Sequence, residues 1–248
     1  MLRYDRVDFG YEPYPIGLIS GVFDDKVFDG LSNSYPDKSL FRHMPNLGNK
    51  YSLADGNNGA EYRAFLKSSP DWRAFHDYVR SPEFIEKTLS MLQDHHIDLV
   101  LRNPKVMTGK GSSKKSSLLG RMFGWTELNA RFEFAMMDGD GGHIKPHTDL
   151  PRKLITFVFS MNRPGDWDSA WGGTTDVVWP KDTRYLYNHG NKYFDFSEVD
   201  TLKKMDYNPN QAIVFIKTWN SWHAVSPLHA PEPGKLRKTL TVNIERKI

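Results

Sequence analysis

The sequence predicts a single-domain, mainly β protein with flanking helices, and two features of the chain support this. A capped helical region covers residues 60–98, and from residue 129 onward the chain changes to short apolar runs separated by turn residues. The length of 248 residues fits one large domain, which can bury a core without disulfides. Short strands separated by Gly and Pro turns are typical of sandwiches and barrels.

Composition excludes several classes of protein and restricts the kind of metal site. Hydrophobic residues make up 39% and charged residues 25% of the chain, as in globular proteins. No apolar run approaches the ~20 residues of a membrane span, and the start lacks the apolar core of a signal peptide, so we expect a cytoplasmic protein. A net charge of +3 is too small to indicate nucleic acid. With no cysteines, a metal must bind through His and carboxylate.

The first half of the chain predicts loops followed by helices. Residues 1–60 are rich in Gly, Pro, Asn and Asp, and we interpret them as loops and turns. Ser69 and Ser81 are predicted helix N-caps, each followed by Pro and an acidic residue. Segment 105–121 is basic and rich in Ser and Gly, which favours a solvated loop over a substrate-covering lid or a basic contact patch.

The second half predicts consecutive β-strands. The runs ARFEFAMM, LITFVFSM, TTDVVW, QAIVFIKTW and TLTVNIE are separated by Gly, Pro, Asn and Asp. Between the third and fourth runs lies a long polar and aromatic insertion, residues 181–206, which we interpret as a candidate lid because long loops in compact domains are often functional. Trp219 and Trp222 either line a pocket or belong to the core, and composition favours the core.

His147 and Asp149 form the most informative motif of the chain. In an extended strand, residues i and i+2 point to the same face, so an imidazole nitrogen and a carboxylate oxygen can reach one cation. His223, which follows the run QAIVFIKTW, is the best candidate for a third ligand. Two His and one carboxylate form the facial triad of non-haem iron(II) sites. We interpret the other histidines as surface or structural residues, and place His143 outside the ligand set.

In this context residues 129–246 resemble the iron(II)/2-oxoglutarate dioxygenases, in particular the prolyl-hydroxylase-like branch. The segments GGHIKPHTD, LITFVFSMN, WGGTTDVV, QAIVFIKTWNSWHAVSPL and GKLRKTLTVNIE are similar, in order, to consecutive strands of that family. The resemblance implies a double-stranded β-helix, or jelly roll, as the catalytic core over residues 129–248. Residues 1–128 would supply N-terminal loops and supporting helices of the same domain.

The resemblance also implies a role for each site residue. His147, Asp149 and His223 would bind Fe(II), while Arg237 would pair with the distal carboxylate of the cosubstrate 2-oxoglutarate. The hydroxyl of Thr239 would contact the same carboxylate. Arg237 and Thr239 share one face of a strand, and a guanidinium can bind a carboxylate through two hydrogen bonds. The cations that compete with Arg237 for this role are Arg152, Lys153, Lys235 and Lys238.

The implied reaction uses O2 to hydroxylate an unactivated C–H bond, with decarboxylation of 2-oxoglutarate to succinate. The substrate would be a small molecule or a peptide, and we expect neither a membrane nor nucleic acid as a partner. Two features depart from the family. The stretch MMDGDGG stands where members often have a Tyr, and the spacing from His223 to Arg237 is lengthened through HAPEPG.

Two other functions are compatible with the same residues. A cupin-like metal enzyme that does not use 2-oxoglutarate would share the β fold and the triad but would not need Arg237. A non-enzymatic binding module would use Lys110, Lys114 and Lys115 as a basic patch, and would not need His147 and Asp149 to lie near His223.

Overall fold

Two mainly antiparallel β-sheets face each other, and helices cover the outer face of the larger sheet. The computed structural model describes residues 2–101, 104–106 and 126–246. The helices are α1 Asp25–Asn33, α2 Gly59–Ser68, α3 Pro70–Val79 and α4 Pro82–Asp94. The strands are β1 Val7–Gly10, β2 Ile16–Ser20, β3 Arg42–Met44, β4 Lys50–Ala54, β5 Pro104–Val106, β6 Thr126–Asp138, β7 Ile144–His147, β8 Lys153–Ser160, β9 Thr175–Pro180, β10 Val199–Met205, β11 Gln211–Ile216, β12 His223–Val225 and β13 Leu236–Arg246.

The strands from β6 onward form a jelly roll. The larger sheet has the order β1-β2-β11-β8-β13-β6-β4-β3, with β5 paired in parallel to β6, and the smaller sheet has the order β10-β9-β12-β7. The chain passes between the two sheets from β6 to β7, then to β8 and β9, and later from β11 to β12 and β13. This alternation is that of a double-stranded β-helix, so the predicted fold class is confirmed.

Strand β8 shows that the larger sheet has two buried faces, one covered by the helices and one facing the smaller sheet. Ile155, Phe157 and Phe159 are fully buried in the cluster that the helices cover, while Thr156 and Val158 face the smaller sheet. This follows from the alternation of side chains along a strand. On the helix side, α3 contributes Trp72, which is also fully buried. Burying one such large side chain contributes roughly 1.5–3 kcal/mol, so this layer fixes the sheet on which the site is built.

The predicted helical region is confirmed as three helices, α2 to α4. The hydroxyl of Ser81 accepts a hydrogen bond from the Phe84 amide at 3.4 Å, as expected of an N-cap. Ser69 is the N-cap residue of α3, as predicted, but its side chain makes no cap hydrogen bond. Pro70 and Pro82 occupy first-turn positions, where a missing N–H costs nothing. Among the described residues, no helix has the length and apolar content that crossing a membrane requires.

The expectation that residues 1–60 are loops and turns is wrong for about half of that stretch. Strands β1 and β2 extend the larger sheet beside β11, strands β3 and β4 extend it beside β6, and α1 lies between the two pairs. These strands are three to five residues long, and turn residues surround them. Their formation depends on pairing with longer strands, which local propensity does not reveal.

The insertion at 181–206 is shorter than the sequence indicates. Its last part, β10, pairs antiparallel with β9 as an edge strand, from Val199 opposite Pro180 to Met205 opposite Thr175. Five consecutive residues of β10 are exposed, so the strand lacks the apolar alternation by which strands are recognised. The loop proper is therefore 181–198. The predicted basic loop 105–121 lies, apart from its first two residues, outside the described residues.

A buried carboxylate ties β4 to β6. Glu133 is 6% exposed. Its oxygens accept hydrogen bonds from Lys50 Nζ at 2.7 Å, Ser52 Oγ at 2.8 Å and Arg131 Nη2 at 2.8 Å. Burial raises the pKa of Glu133, but the charges of Lys50 and Arg131 outweigh burial and lower it from 4.5 to about 2. The ionised carboxylate therefore stabilises the folded state above the unfolded pKa.

We expect Glu133→Gln to lower the free energy of unfolding at pH 7 by about 3 kcal/mol, the value that corresponds to the difference between the two pKa values. Because the folded pKa is depressed, the wild type should lose this contribution as the pH falls from about 4.5 toward 2. The variant should lose less stability over the same range. Urea denaturation at a series of pH values measures both quantities, with Glu86→Gln on the exposed face of α4 as the control. Equal pH dependence of the two variants would contradict the role of Glu133.

Candidate functional site

The structure brings His147, Asp149 and His223 together at one end of the smaller sheet. His147 ends β7 and His223 begins β12, and the two residues are direct partners in the antiparallel ladder. Their ring centroids are 4.4 Å apart. One ligand atom from each of the three residues lies within 4.8 Å of the others. Among the described residues this is the group with the composition and spacing of a metal site, and His143 is not part of it.

Hydrogen bonds to the backbone fix both imidazoles in the tautomer that a metal requires. His147 Nδ1 lies 2.8 Å from the Lys145 carbonyl, and His223 Nδ1 lies 3.0 Å from the Ser221 carbonyl. A carbonyl only accepts, so each Nδ1 carries the proton and each Nε2 keeps a free lone pair. Burial lowers the pKa of His223, and burial together with the neighbouring His223 lowers the pKa of His147 to about 3. Both rings are therefore neutral at pH 7.

Asp149 is held as a carboxylate. It is 7% exposed, with Lys153 Nζ 2.5 Å from Oδ1 and the Thr156 hydroxyl 2.7 Å from Oδ2. Burial raises the pKa of Asp149, but the charge of Lys153 lowers it well below its usual range. Each oxygen accepts one of these hydrogen bonds and retains a further lone pair for a cation. The sequence did not assign Lys153 and Thr156 to this role, since their spacing from Asp149 follows no recognisable motif.

One cavity between the sheets connects this group to Arg237 and Thr239. The two residues lie on β13, two positions apart, and line the cavity together with His147, Asp149 and His223. Opposite them in the ladder, β6 contributes Met137 and Ala135. The five residues singled out from the sequence therefore face one cavity, although they come from both sheets and from the turn after β7.

Arg237 is a buried cation without a carboxylate partner among the described residues. It is 3% exposed, its Nε donates to the Gly173 carbonyl at 2.8 Å, and its Cζ lies 4.4 Å from the centre of the Tyr207 ring. Its two terminal amino groups donate to no described residue. Asp176 acts on Arg237 through space, but its oxygens already accept hydrogen bonds from Thr174 and Ser226. The guanidinium is thus fixed at one edge and open to the cavity at the other.

Gly173 explains the Gly-Gly segment of the sequence. Its φ is +90°, and a Cβ at this position would lie 3.0 Å from both Cδ and Nε of Arg237. Any side chain here would push the arginine away from the carbonyl that holds it. The motif WGG signals Gly173, whereas nothing in the sequence links Tyr207 to Arg237 across thirty residues. Tyr207 is the aromatic support that sequence analysis missed.

The cations that compete with Arg237 have other partners. Lys153 pairs with Asp149, Arg152 lies 3.3 Å from Glu245, and Lys235 lies 3.3 Å from Glu232. Lys238 points to the opposite face of β13, where its Nζ lies 5.9 Å from the Tyr35 ring, as the alternation predicts. The segment HAPEPG before β13 is bound to the end of β6 through hydrogen bonds of Gly139 with the backbones of Ala230 and Lys235. Its extra length therefore leaves the register of Arg237 intact.

The loop 181–198 contacts His147 directly. The Tyr193 ring is nearly parallel to His147, with centroids 5.2 Å apart. The next residue, Phe194, stacks on Trp222 at 4.9 Å and donates its amide to the Pro146 carbonyl. Trp222 is fully buried, so its interpretation as a core residue is correct, whereas Trp219 is 42% exposed. The loop thus forms a wall beside His147.

One solved structure supports the fold, and two others are similar at lower TM-scores. A prolyl hydroxylase from Trichoplax adhaerens, solved with a hypoxia inducible factor peptide fragment, is similar at a TM-score of 0.50 and 14% identity, over 93% of this chain and 83% of that one. A prolyl-4-hydroxylase from Pseudomonas putida has a TM-score of 0.49 and 12% identity, over 96% and 95% of the two chains. HygX from Streptomyces hygroscopicus, with nickel, 2-oxoglutarate and hygromycin B, has a TM-score of 0.48 and 9% identity, over 93% and 82%.

A protein-family model matches the part of the chain that holds the site. No curated protein sequence matches this chain. Residues 132–245 match the family described as the 2OG-Fe(II) oxygenase superfamily. The matched segment contains the three convergent side chains, Arg237 and Thr239 of β13, and most of the jelly roll. The superfamily matched by residues 132–245 is the one that the sequence motifs resemble.

Proposed function

We propose that this protein is an iron(II)- and 2-oxoglutarate-dependent oxygenase that hydroxylates an unactivated C–H bond of a small molecule or a peptide. The observation that carries the proposal is the content of a single cavity. It holds three metal-ligand side chains that converge and a buried arginine without a carboxylate partner among the described residues. A metal alone would explain the first feature, but the second calls for an anionic ligand.

The three convergent side chains fit Fe(II). Two neutral imidazoles with free Nε2 atoms and one ionised carboxylate are the donor set of the facial triad, which leaves further coordination positions open. The backbone carbonyls that accept from the Nδ1 atoms orient each ring, as the outer partners of metal-bound histidines do. His147, Asp149 and His223 would therefore hold the metal without rearranging their hydrogen bonds.

Arg237 and Thr239 fit the distal carboxylate of 2-oxoglutarate. The free terminal amino groups of Arg237 can donate two parallel hydrogen bonds, and the Thr239 hydroxyl on the same strand face can donate a third. The stacked Tyr207 and the Gly173 carbonyl hold the guanidinium in one orientation before the ligand arrives. A preorganised cation loses less entropy on binding than a mobile one. A cupin-like enzyme without an oxoacid would have no use for this arrangement.

When bound, Fe(II) would supply the redox chemistry that couples decarboxylation of 2-oxoglutarate to hydroxylation of the substrate. The chain's own residues bind, orient and exclude water. Met137, Val158 and Phe215 form apolar walls of the cavity, which limits competing reactions with solvent. Thr156 and Lys153 keep the Asp149 carboxylate ionised and in a fixed orientation.

The reaction itself can be tested without knowledge of the natural substrate. Anaerobically iron-loaded protein should release succinate when O2 and 2-oxoglutarate are added, and a substrate should accelerate this release. A screen of amino acids, peptides and nucleosides would identify the substrate class. Protein that binds metal and 2-oxoglutarate but never forms succinate would contradict the proposed activity.

We expect His223→Ala to weaken Mn(II) binding by more than about 100-fold, since loss of a mere supporting partner already costs roughly 10–100-fold. His143→Ala is the matched control, because His143 lies on the same stretch of chain as His147 but outside the ligand group. Calorimetric titration under anaerobic conditions measures both affinities. Equal losses in the two variants would refute the assignment of His223.

We expect Arg237→Met to weaken the binding of 2-oxoglutarate strongly while changing the free energy of unfolding little. Because the guanidinium has no buried carboxylate partner among the described residues, its removal should not cost the ~3–5 kcal/mol of a broken buried ion pair. The affinity of the Mn(II)-loaded protein for 2-oxoglutarate should nevertheless fall by about two to three orders of magnitude, because the bound carboxylate loses its counter-charge.

Urea denaturation and calorimetry measure these two effects of Arg237→Met separately. Lys238→Met, on the opposite face of the same strand, is the control and should leave the affinity for 2-oxoglutarate unchanged. An unchanged dissociation constant in Arg237→Met would remove Arg237 from the cosubstrate site and favour the cupin-like alternative.

A further inference from the structure

Lys217 lies where the larger sheet meets the metal-ligand group. It directly follows β11, and its amide donates to the carbonyl of Leu154 at 2.9 Å at the start of β8. Phe215, two residues earlier, lines the cavity and lies 4.5 Å from the His223 ring. Lys217 lies just beyond the end of β11, close enough to Asp149 and His223 for its charge to act on both of them.

The ammonium of Lys217 has no carboxylate partner among the described residues. It is half-buried, and its Nζ donates to the neighbouring Thr218 carbonyl at 2.7 Å. That contact satisfies one of its three donors. Burial lowers the pKa of Lys217 to about 8, while the charge of Asp149 opposes the change, so the group remains mostly protonated at neutral pH. Asp149 itself is already paired with Lys153.

An exposed aromatic surface lies next to this cation. Lys217 Nζ is 4.9 Å from the centre of the Trp219 ring, and the His189 ring lies 4.9 Å from the same indole. The amide of Asn188 donates to the Trp219 carbonyl at 2.7 Å, so the loop 181–198 holds this residue in place. Trp219 is a large, 42% exposed side chain held against a cation, which suits a ligand that has both a charge and an apolar part.

We propose that the primary substrate carries an anionic group, a carboxylate or a phosphate, that binds to Lys217 while an adjoining apolar or ring portion contacts Trp219. This inference rests on the proposed function, because it assigns the substrate class of the same site. Lys217 and Arg237 would bind different ligands, because Arg237 would already pair with the carboxylate of 2-oxoglutarate. The binding of two anions at one centre is electrostatically reasonable, since the metal, Lys153, Lys217 and Arg237 each contribute positive charge.

The test uses small aromatic fragments as probes. Zinc(II)-loaded protein saturated with 2-oxoglutarate is titrated with benzoate, phenyl phosphate and the neutral benzamide, and dissociation constants are measured by ligand-observed NMR. We expect at least one anionic fragment to bind about tenfold more tightly than benzamide, because a hydrogen bond between two charged groups is stronger than one to a neutral group. The stronger of the two anions identifies the substrate's group as carboxylate or phosphate.

Variants at Lys217 decide the assignment. Lys217→Gln should abolish the preference for the anion, Lys217→Arg should retain it, and Lys26→Gln on the exposed face of α1 should have no effect. The affinity for 2-oxoglutarate should be unchanged in all three, which also shows that they are folded. Wild-type protein without an anion preference, or a preference that survives in Lys217→Gln, would overturn this inference. Failure of the wild type to bind 2-oxoglutarate would instead overturn the proposed function.

Discussion

The pairing of β7 with β12 is the constraint on which the site depends. It sets His147 opposite His223, and the backbone carbonyls two residues before each ring select the same tautomer in both. A shift of one residue in either strand would turn one imidazole away from the cavity. The smaller sheet has four strands, with β10 and β7 at its edges, and apolar packing between Val177 of β9 and Phe215 of β11 joins it to the larger sheet.

The second element of the site is a fixed positive charge, which no carboxylate among the described residues pairs with. Gly173 allows Arg237 to lie against the backbone, and the Tyr207 ring packs against the face of the guanidinium. A buried cation without a counter-ion lowers the stability of a protein that binds no anion. The jelly roll therefore combines a group organised for a cation with a group organised for an anion, one on each sheet.

Much of this arrangement was predictable from the sequence because short-range periodicity encodes it. The i, i+2 spacing placed His147 with Asp149 and Arg237 with Thr239. The apolar runs after residue 129 predicted a sandwich or barrel, and the family resemblance specified the jelly roll. The strands β1 to β4 escaped prediction because they form only by pairing with longer strands. Tyr207, Lys153 and Thr156 escaped because their contacts depend on how distant strands align, which no local pattern records.

The ion pair between Lys153 and Asp149 bears on the order of events during maturation. Because the buried carboxylate already has a counter-charge, the polypeptide can fold before any cation reaches it. Arrival of a divalent ion then leaves the centre with an excess of positive charge contributed by both the ion and the lysine. We therefore expect loading to be sequential, with the metal entering an already folded protein and the doubly charged oxoacid drawn in afterwards by the field that the metal creates.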